Sequence, residues 1–515
     1  MARYKEYSYD QTKLIPLCLP AQIKPGTFEY ALNHIVDHEL DLTVFEHRYT
    51  NDDTGAPAFD PAILLKIVLY AYSRGITSSR DIARACEENV LFMALSADTQ
   101  PHFTTIADFI SSMKEEIVPL FRDIVALCYT DGLIGREMFA IDGCKISSNC
   151  SKEWSGTRAE FEKKRRKIEK SIKFLVGKHR DQDRHDKEHT AVKREKKSIE
   201  RMRENIKKIN TWLQENDDKR GSRGKIITSN ITDNESAKMP TSHGMIQGYT
   251  GVAAVDGKHQ VIVEAEAYGE NQEKSLLTPT IKNINETFKE KGLSEEVCKE
   301  ATVIADTGYH SNDNIEFLET NAINGYIADP QFRKRDPRYA DYEEHRNQTG
   351  KTLGRHVARY FTIKNFTVTK DKKHLICPGG KILEPINTHF RNNSGLIGTM
   401  FRASKEDCRV CNLRPRCMRG KTDTPRTVTL FRHRVKGYPE SFTQKMIKKF
   451  DTPEGRYIYS RRMGIIEPVF ANICNTIGLN YFSVRGKVKV DIQWKLFSMV
   501  HNIGKLFRFS PRFAC

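Results

Sequence analysis

Met138-Phe139-Ala140-Ile141-Asp142-Gly143 is a short apolar run that ends on a carboxylate, the pattern of a buried strand that delivers an acid at its end. A second run of the same kind, Thr302-Val303-Ile304-Ala305, ends at Asp306. Between them, Tyr249 to Val255 and His259 to Glu266 flank Asp256-Gly257, which reads as two strands joined in a hairpin. A helix is expected from Glu273 to Lys289, another from Asn312 to Glu319, and a last strand from Ile323 to Ala328. Strand, hairpin, helix, strand, helix, strand predicts an α/β fold with a mixed sheet covered by helices, not a pure βαβ repeat.

Upstream the chain reads as helical. Phe59 to Ser73 carries Pro61 near its start and Ile63, Leu64, Ile67 and Tyr70 on one face, and Gly75 ends it. Ser78 and Asp81 open a second helix with Ile82, Ala85 and Cys86 inside. A third is expected from Thr104 through Ile106, Phe109, Ile117, Leu120 and Leu127, kinked at Pro119. Short helices joined by a tight turn fit a helix-turn-helix reader of DNA, and an ordinary helical bundle gives the same pattern.

Two segments interrupt the sheet. In residues 157–223, Phe161, Ile168, Ile172 and Leu175, then Ile199, Met202, Ile206, Ile209 and Leu213, recur by threes and fours, which predicts an antiparallel helical hairpin with a basic exterior. Residues 330–450 are basic, punctuated by Gly and Pro, and hold a cysteine cluster. Helix is expected again from Glu467 into Trp494 to Phe507. The organisation expected is a helical DNA-binding region at 1–130, a catalytic domain at 131–329 and 451–515 split by the hairpin, and the cysteine-containing insert at 330–450.

Composition narrows the classes. The 515 residues are 38% hydrophobic and 29% charged, which excludes a collagen-like or wholly disordered chain. No apolar stretch of about 18 residues and no apolar leader after Met1 are found, so membrane spanning and secretion are disfavoured and a cytoplasmic location is expected. A formal charge of +17 favours a polyanionic partner. Between Arg158 and Arg220 there are 22 basic and 13 acidic residues, about half of the total excess. The run Lys163, Lys164, Arg165, Arg166 and Lys167 is its densest candidate for phosphate contacts.

Three acids stand out by context: Asp142 and Asp306 at strand ends, and Glu467 beside Pro468 at an expected helix start. Taken singly, each is better explained as the cap of a turn or helix. Together, three converging carboxylates can hold two Mg²⁺ ions about 3.5–4 Å apart, one activating an attacking oxygen and one stabilising the leaving oxygen of a phosphodiester. Tyr459, Arg461 and Arg462 precede the glutamate; such residues can hold a phosphate or stack on a base. His185, Glu188 and His189 spell an inverted metalloprotease motif. Their charged surroundings make it a solvated turn of the hairpin.

Phe59-Asp60-Pro61, Phe139-Ala140-Ile141-Asp142-Gly143, Ile304-Ala305-Asp306-Thr307-Gly308-Tyr309 and Arg461-Arg462-Met463-Gly464-Ile465-Ile466-Glu467-Pro468-Val469-Phe470, with Arg485-Gly486 and His501-Asn502, jointly resemble the DDE transposases of bacterial insertion sequences, specifically insertion sequence family eleven-eighty-two. The resemblance spans nearly the whole chain. It implies a ribonuclease H-like catalytic domain, Asp142, Asp306 and Glu467 as the metal-binding triad for Mg²⁺, and Tyr459 and Arg462 as parts of the signature around the glutamate. It further implies metal-dependent cleavage and strand transfer at the terminal inverted repeats of the protein's own element, with target double-stranded DNA as second substrate and a homodimer on DNA as the assembly. One departure is Cys474, which stands where the pattern has a lysine. The alternatives are a nuclease without strand transfer and a domesticated or inactive DNA-binding protein.

Cys408 and Cys411 are spaced C-x2-C, Cys417 follows, and Cys377 stands upstream in Cys377-Pro378-Gly379-Gly380. Four thiolates could close one tetrahedral, structural Zn²⁺ site; free thiols in a reducing cell are the other reading.

Overall fold

The computed structural model describes residues 17–49, 57–182, 189–221, 224–242, 244–339, 360–369, 373–392, 396–418, 424–434 and 441–513. It is mixed α/β and falls into two compact units, the first made of the chain up to Ile327 and again from Tyr457, the second of Ala328–Arg456.

The first unit is built on one sheet: β1 (Met138–Ser147), β2 (Ala237–Thr241), β3 (Gly244–Asp256), β4 (Ile262–Tyr268), β5 (Thr302–Ala305) and β6 (Asn324–Ile327). β1 is central. It pairs antiparallel with β3 on one side and parallel with β5 on the other, and β5 pairs parallel with β6. β3 is long enough to take both β2 and β4 along its outer edge. Met138 to Ile141 are buried on both faces, as a central strand between parallel and antiparallel neighbours requires. The hairpin after Asp256 is real, but its turn is wider than a two-residue loop: Asp256 accepts backbone bonds from Gly135, Arg136 and Lys258.

β1 does not stop at Asp142-Gly143. It continues to Ser147 because β3 supplies partners through Gly248, with Asp142 opposite Ala253. Gly143 is there for space: a Cβ would lie 2.6 Å from the Thr250 methyl.

Helices Phe28–His38, Pro61–Ser73, Ser79–Glu88, Val90–Leu95, Phe103–Ser112 and Ile117–Thr130 precede the sheet. The helix expected to run through Thr104 and Leu127 is thus two helices, broken before Pro119 instead of kinked at it; Pro119 sits in the first turn of the second, where its missing N–H costs nothing. Pro61–Ser73 is buried all round from Leu64 to Tyr72, beyond the single face its periodicity gives. Part of its cover is helix Lys487–Phe509, where Phe497 stacks on Tyr72 at 4.6 Å. The same helix grips the sheet: Trp494 donates to the Val252 carbonyl, and Asn502 both donates to and accepts from the Ile262 backbone.

Helices Arg158–Gln182 and His189–Glu215 close over Phe161, Ile209, Trp212 and Leu213. His185 and Glu188 lie outside the described residues, as does the side chain of His189.

The second unit has its own five-stranded antiparallel sheet, from Thr367–Val368 through Leu375–Ile376, Ile382–Arg391 and Leu396–Ala403 to Thr427–Arg434. Its core is Phe366, Leu375, Leu383, Phe401, Ala403 and Val428.

Candidate active site

The parallel register decides the site. Ile141 is opposite Ala305, so the next residues, Asp142 and Asp306, are neighbours across adjacent strands, roughly the 4.8 Å interstrand spacing apart in the backbone and on one face. β5 ends at Ala305, and the chain turns at Thr307–Tyr309. Asp306 caps that turn, its Oδ1 accepting from the Thr307 N–H at 2.6 Å. Asp142 accepts from the Gly143 N–H at 2.8 Å.

Helix Pro453–Ala471 brings the basic partner. Arg462 is buried, and its Nη1 donates to Asp142 Oδ2 at 2.5 Å while Nη2 lies 3.9 Å from Asp306 Oδ1. Three residues earlier on the same helix, the Tyr459 hydroxyl reaches Asp306 Oδ1 at 3.4 Å. Burial pushes the Asp142 carboxyl above the usual carboxylate range, against the pull of Arg462. Burial also lifts the Tyr459 phenol to about 12.

Glu467 is not at a helix start. It is deep in Pro453–Ala471, with Pro468 inside the helix, and the chain widens immediately afterwards into a π-type stretch at Asn472–Thr476. The Glu467 side chain is exposed and makes no hydrogen bond or ion pair among the described residues. So the structure joins Asp142, Asp306, Arg462 and Tyr459, and leaves Glu467 on the same helix without touching them. Cys474, in the lysine's place, has its sulfur 3.8 Å from that of Cys144, two residues beyond Asp142.

A residue the sequence reading missed lies at the centre. Glu273 opens the 3₁₀ turn that precedes helix Leu277–Glu290, and its carboxylate faces both aspartates. Burial first, then the charges of Asp142 and Asp306, push it up to about 7 against the pull of Lys145 and Arg462. The signal available in the sequence was an acid at the first helix after the hairpin, with glycines at 143 and 308 beside each aspartate. Among the described residues no group of three or more His, Cys, Asp or Glu side chains stands in a metal-holding arrangement. Arg462 takes the cationic role between the aspartates. The donors themselves are all oxygens, the chemistry that suits Mg²⁺.

The basic run in helix Arg158–Gln182 does not act as one face. Lys164 Nζ lies 3.9 Å above the Trp154 ring and donates to the Glu153 carbonyl, and Arg165 donates to Asn210. Lys163, Arg166 and Lys167 are exposed.

In the second unit Cys377, Cys408 and Cys417 pack against the same core. The sulfurs of Cys377 and Cys411 each lie 3.6 Å from where a Cβ on Gly379 would be. Burial raises the Cys417 thiol against the opposing charge of Arg426, with Cys408, Cys377 and Cys411 adding to the rise.

Residues 376–507 match the family described as Transposase DDE domain, and residues 17–112 match the family described as Transposase domain (DUF772). Arg462, Glu467 and the four cysteines fall inside the first segment; Asp142 and Asp306 fall between the two. No curated protein matches the chain.

Proposed function

We propose that the chain, matched by transposase domains over residues 17–112 and 376–507, is a DDE-type transposase that cuts the ends of its own insertion sequence, of family eleven-eighty-two, and joins them to target DNA. The observation that carries this reading is the pair Asp142 and Asp306, set side by side by strand register and capped by Arg462 and Tyr459. The DDE match, which lies outside the sheet, supports a ribonuclease H-like fold, and the sheet's strand order is compatible with one.

Proteins of this type generally use a divalent metal. Held by Asp142, Asp306 and Glu467, two Mg²⁺ ions would activate the attacking oxygen and stabilise the leaving one. The chain's own groups then position the substrate. Arg462, when it turns from Asp142, is placed to hold a phosphate oxygen, and Tyr459 to flank the sugar-phosphate backbone. In cleavage, the oxygen of water bonds to phosphorus as the bond to the 3′-oxygen breaks. In strand transfer, the freed 3′-hydroxyl oxygen bonds to a target phosphorus and expels the target's 3′-oxygen. The substrates are double-stranded terminal repeats and target DNA, bound by a homodimer.

Asp142→Asn, Asp306→Asn and Glu467→Gln test the triad in Mg²⁺-dependent cleavage and gel-shift assays on the same preparations. Each should abolish cutting and leave binding to the element's ends largely intact. Normal cutting by one variant removes that residue; normal cutting by all three sinks the reading. Cutting without joining leaves a nuclease, and binding without either leaves a DNA-binding protein.

In the second unit, the placement of Cys377 and Cys411 beside Gly379, with Cys408 and Cys417 on the same core, supports a structural zinc site. Elemental analysis should find about one zinc per chain, lost with local folding when Cys408 and Cys411 are both replaced by Ser. Folded protein without zinc would count against it.

A further inference from the structure

The geometry points to Glu273 as a metal-facing carboxylate of the Asp142–Asp306 site, a ligand that the three-acid signature does not contain. The inference rests on the reading of those aspartates as cation ligands.

Its first support is a built cradle. A Cβ on Gly143 would lie 3.1 Å from Glu273 Oε1, and a Cβ on Gly308 would lie 2.2 Å from Oε2. At Gly143 the nearer obstacle is the Thr250 methyl, so Gly308, two residues after Asp306, is the glycine whose missing side chain leaves room for the Glu273 carboxylate. The surrounding turns are tied: Asn314 Nδ2 donates to the carbonyls of Lys274 and Tyr309, locking the Glu273 turn against the Asp306 turn.

A second support is the absence of any other use for the group. The Glu273 side chain makes no hydrogen bond or ion pair among the described residues, although it is half-buried beside two further carboxylates. Three acids against two cations, Arg462 and Lys145, leave negative charge in excess, which favours binding of a further cation.

The third is independent of the acids. The Tyr309 hydroxyl is wholly buried, has no hydrogen-bond partner among the described residues, and lies within electrostatic reach of Glu273, Asp142 and Asp306. A buried phenol left unsatisfied costs free energy, and a ligand between these groups, with the water it carries, would satisfy it. Arg462 Nε is unsatisfied in the same region.

The test uses the full chain without DNA, and Mg²⁺ itself as the probe, by calorimetric titration and by thermal unfolding with and without the metal. Glu273→Gln should weaken Mg²⁺ binding by about tenfold or more and shrink the metal-induced rise in Tm. Its metal-free Tm should stay level or rise, because an uncompensated charge has gone. Glu273→Asp, which keeps the charge on a shorter stem, should recover part of the binding. A Gln variant with unchanged Mg²⁺ affinity overturns the inference, and so does one whose metal-free Tm falls, which would mark a purely structural residue. If Asp142→Asn and Asp306→Asn lose Mg²⁺ while Glu273→Gln keeps it, only the role of Glu273 fails. If all three bind Mg²⁺ like the wild type, the metal site itself fails.

Discussion

The acidic sheet edge and the basic helical hairpin are both concentrations of charge, yet the chain assembles them by opposite rules. Asp142 and Asp306 are far apart in sequence and adjacent in space, because parallel pairing of Ile141 with Ala305 carries the next residue of each strand to the same place. Lys163 to Lys167 are adjacent in sequence and scattered in space, because a helix turns about 100° per residue. Two of the five are spent inside the hairpin, on Trp154 and Asn210. Strand register converts distance into proximity, and helical rotation does the reverse.

The comparison breaks most sharply at Arg462, the basic group that bonds directly to the acidic cluster. It is buried and bonded to Asp142, so Arg462→Ala removes one partner of a largely desolvated pair and leaves uncompensated carboxylates. Losses of this kind run to about 3 kcal/mol. Urea unfolding should show the loss in the absence of metal and a partial recovery in Mg²⁺, whose charge replaces the guanidinium. Cleavage should fall by about 100-fold or more, since a donor aimed at developing charge is gone. Full stability without Mg²⁺ would mean that the pair does not hold helix Pro453–Ala471 to β1.

Particular residues show what was legible. The alternation of apolar runs and acids gave the elements around Asp306 to within a residue or two, because β5 is short, wholly apolar and stopped by its own cap. The same logic misread Asp142-Gly143 as a strand end. An Asp-Gly pair commonly turns the chain, and only the partner strand, continuing through Gly248, keeps it extended. Glu467 was misplaced for a similar reason. Glu-Pro looks like a helix start, but here the proline sits inside helix Pro453–Ala471. Glu273 left almost no local trace. Its neighbours come from β1 and from the turn after β5, so its meaning exists only once three elements are packed. The cysteines reported their own proximity through spacing, which is a statement about sulfur and not yet about a metal.

The smallest effect expected lies in the hairpin, and it separates the two halves of the basic run. Lys163, Arg166 and Lys167 are exposed, Arg166 keeping only a 3.7 Å surface pair with Glu162, and exposed pairs of this kind contribute little. Replacing these three with Gln should leave stability unchanged, weaken binding to all DNA sequences alike, and flatten the dependence of log affinity on log salt by about 0.9 for each phosphate no longer neutralised. Lys164→Gln should behave in the opposite way. It removes a cation from the face of Trp154 and a bond to the Glu153 carbonyl, so it should cost about 1 kcal/mol of stability and leave the salt slope as it was. Thermal unfolding and binding titrations between low and moderate salt measure both. If the exposed triple variant instead changes which DNA end is preferred, the hairpin reads sequence. If neither variant moves the slope, the charge excess of this segment serves something other than phosphate binding, such as a partner chain, and the division between chemistry in the sheet and affinity in the hairpin is wrong.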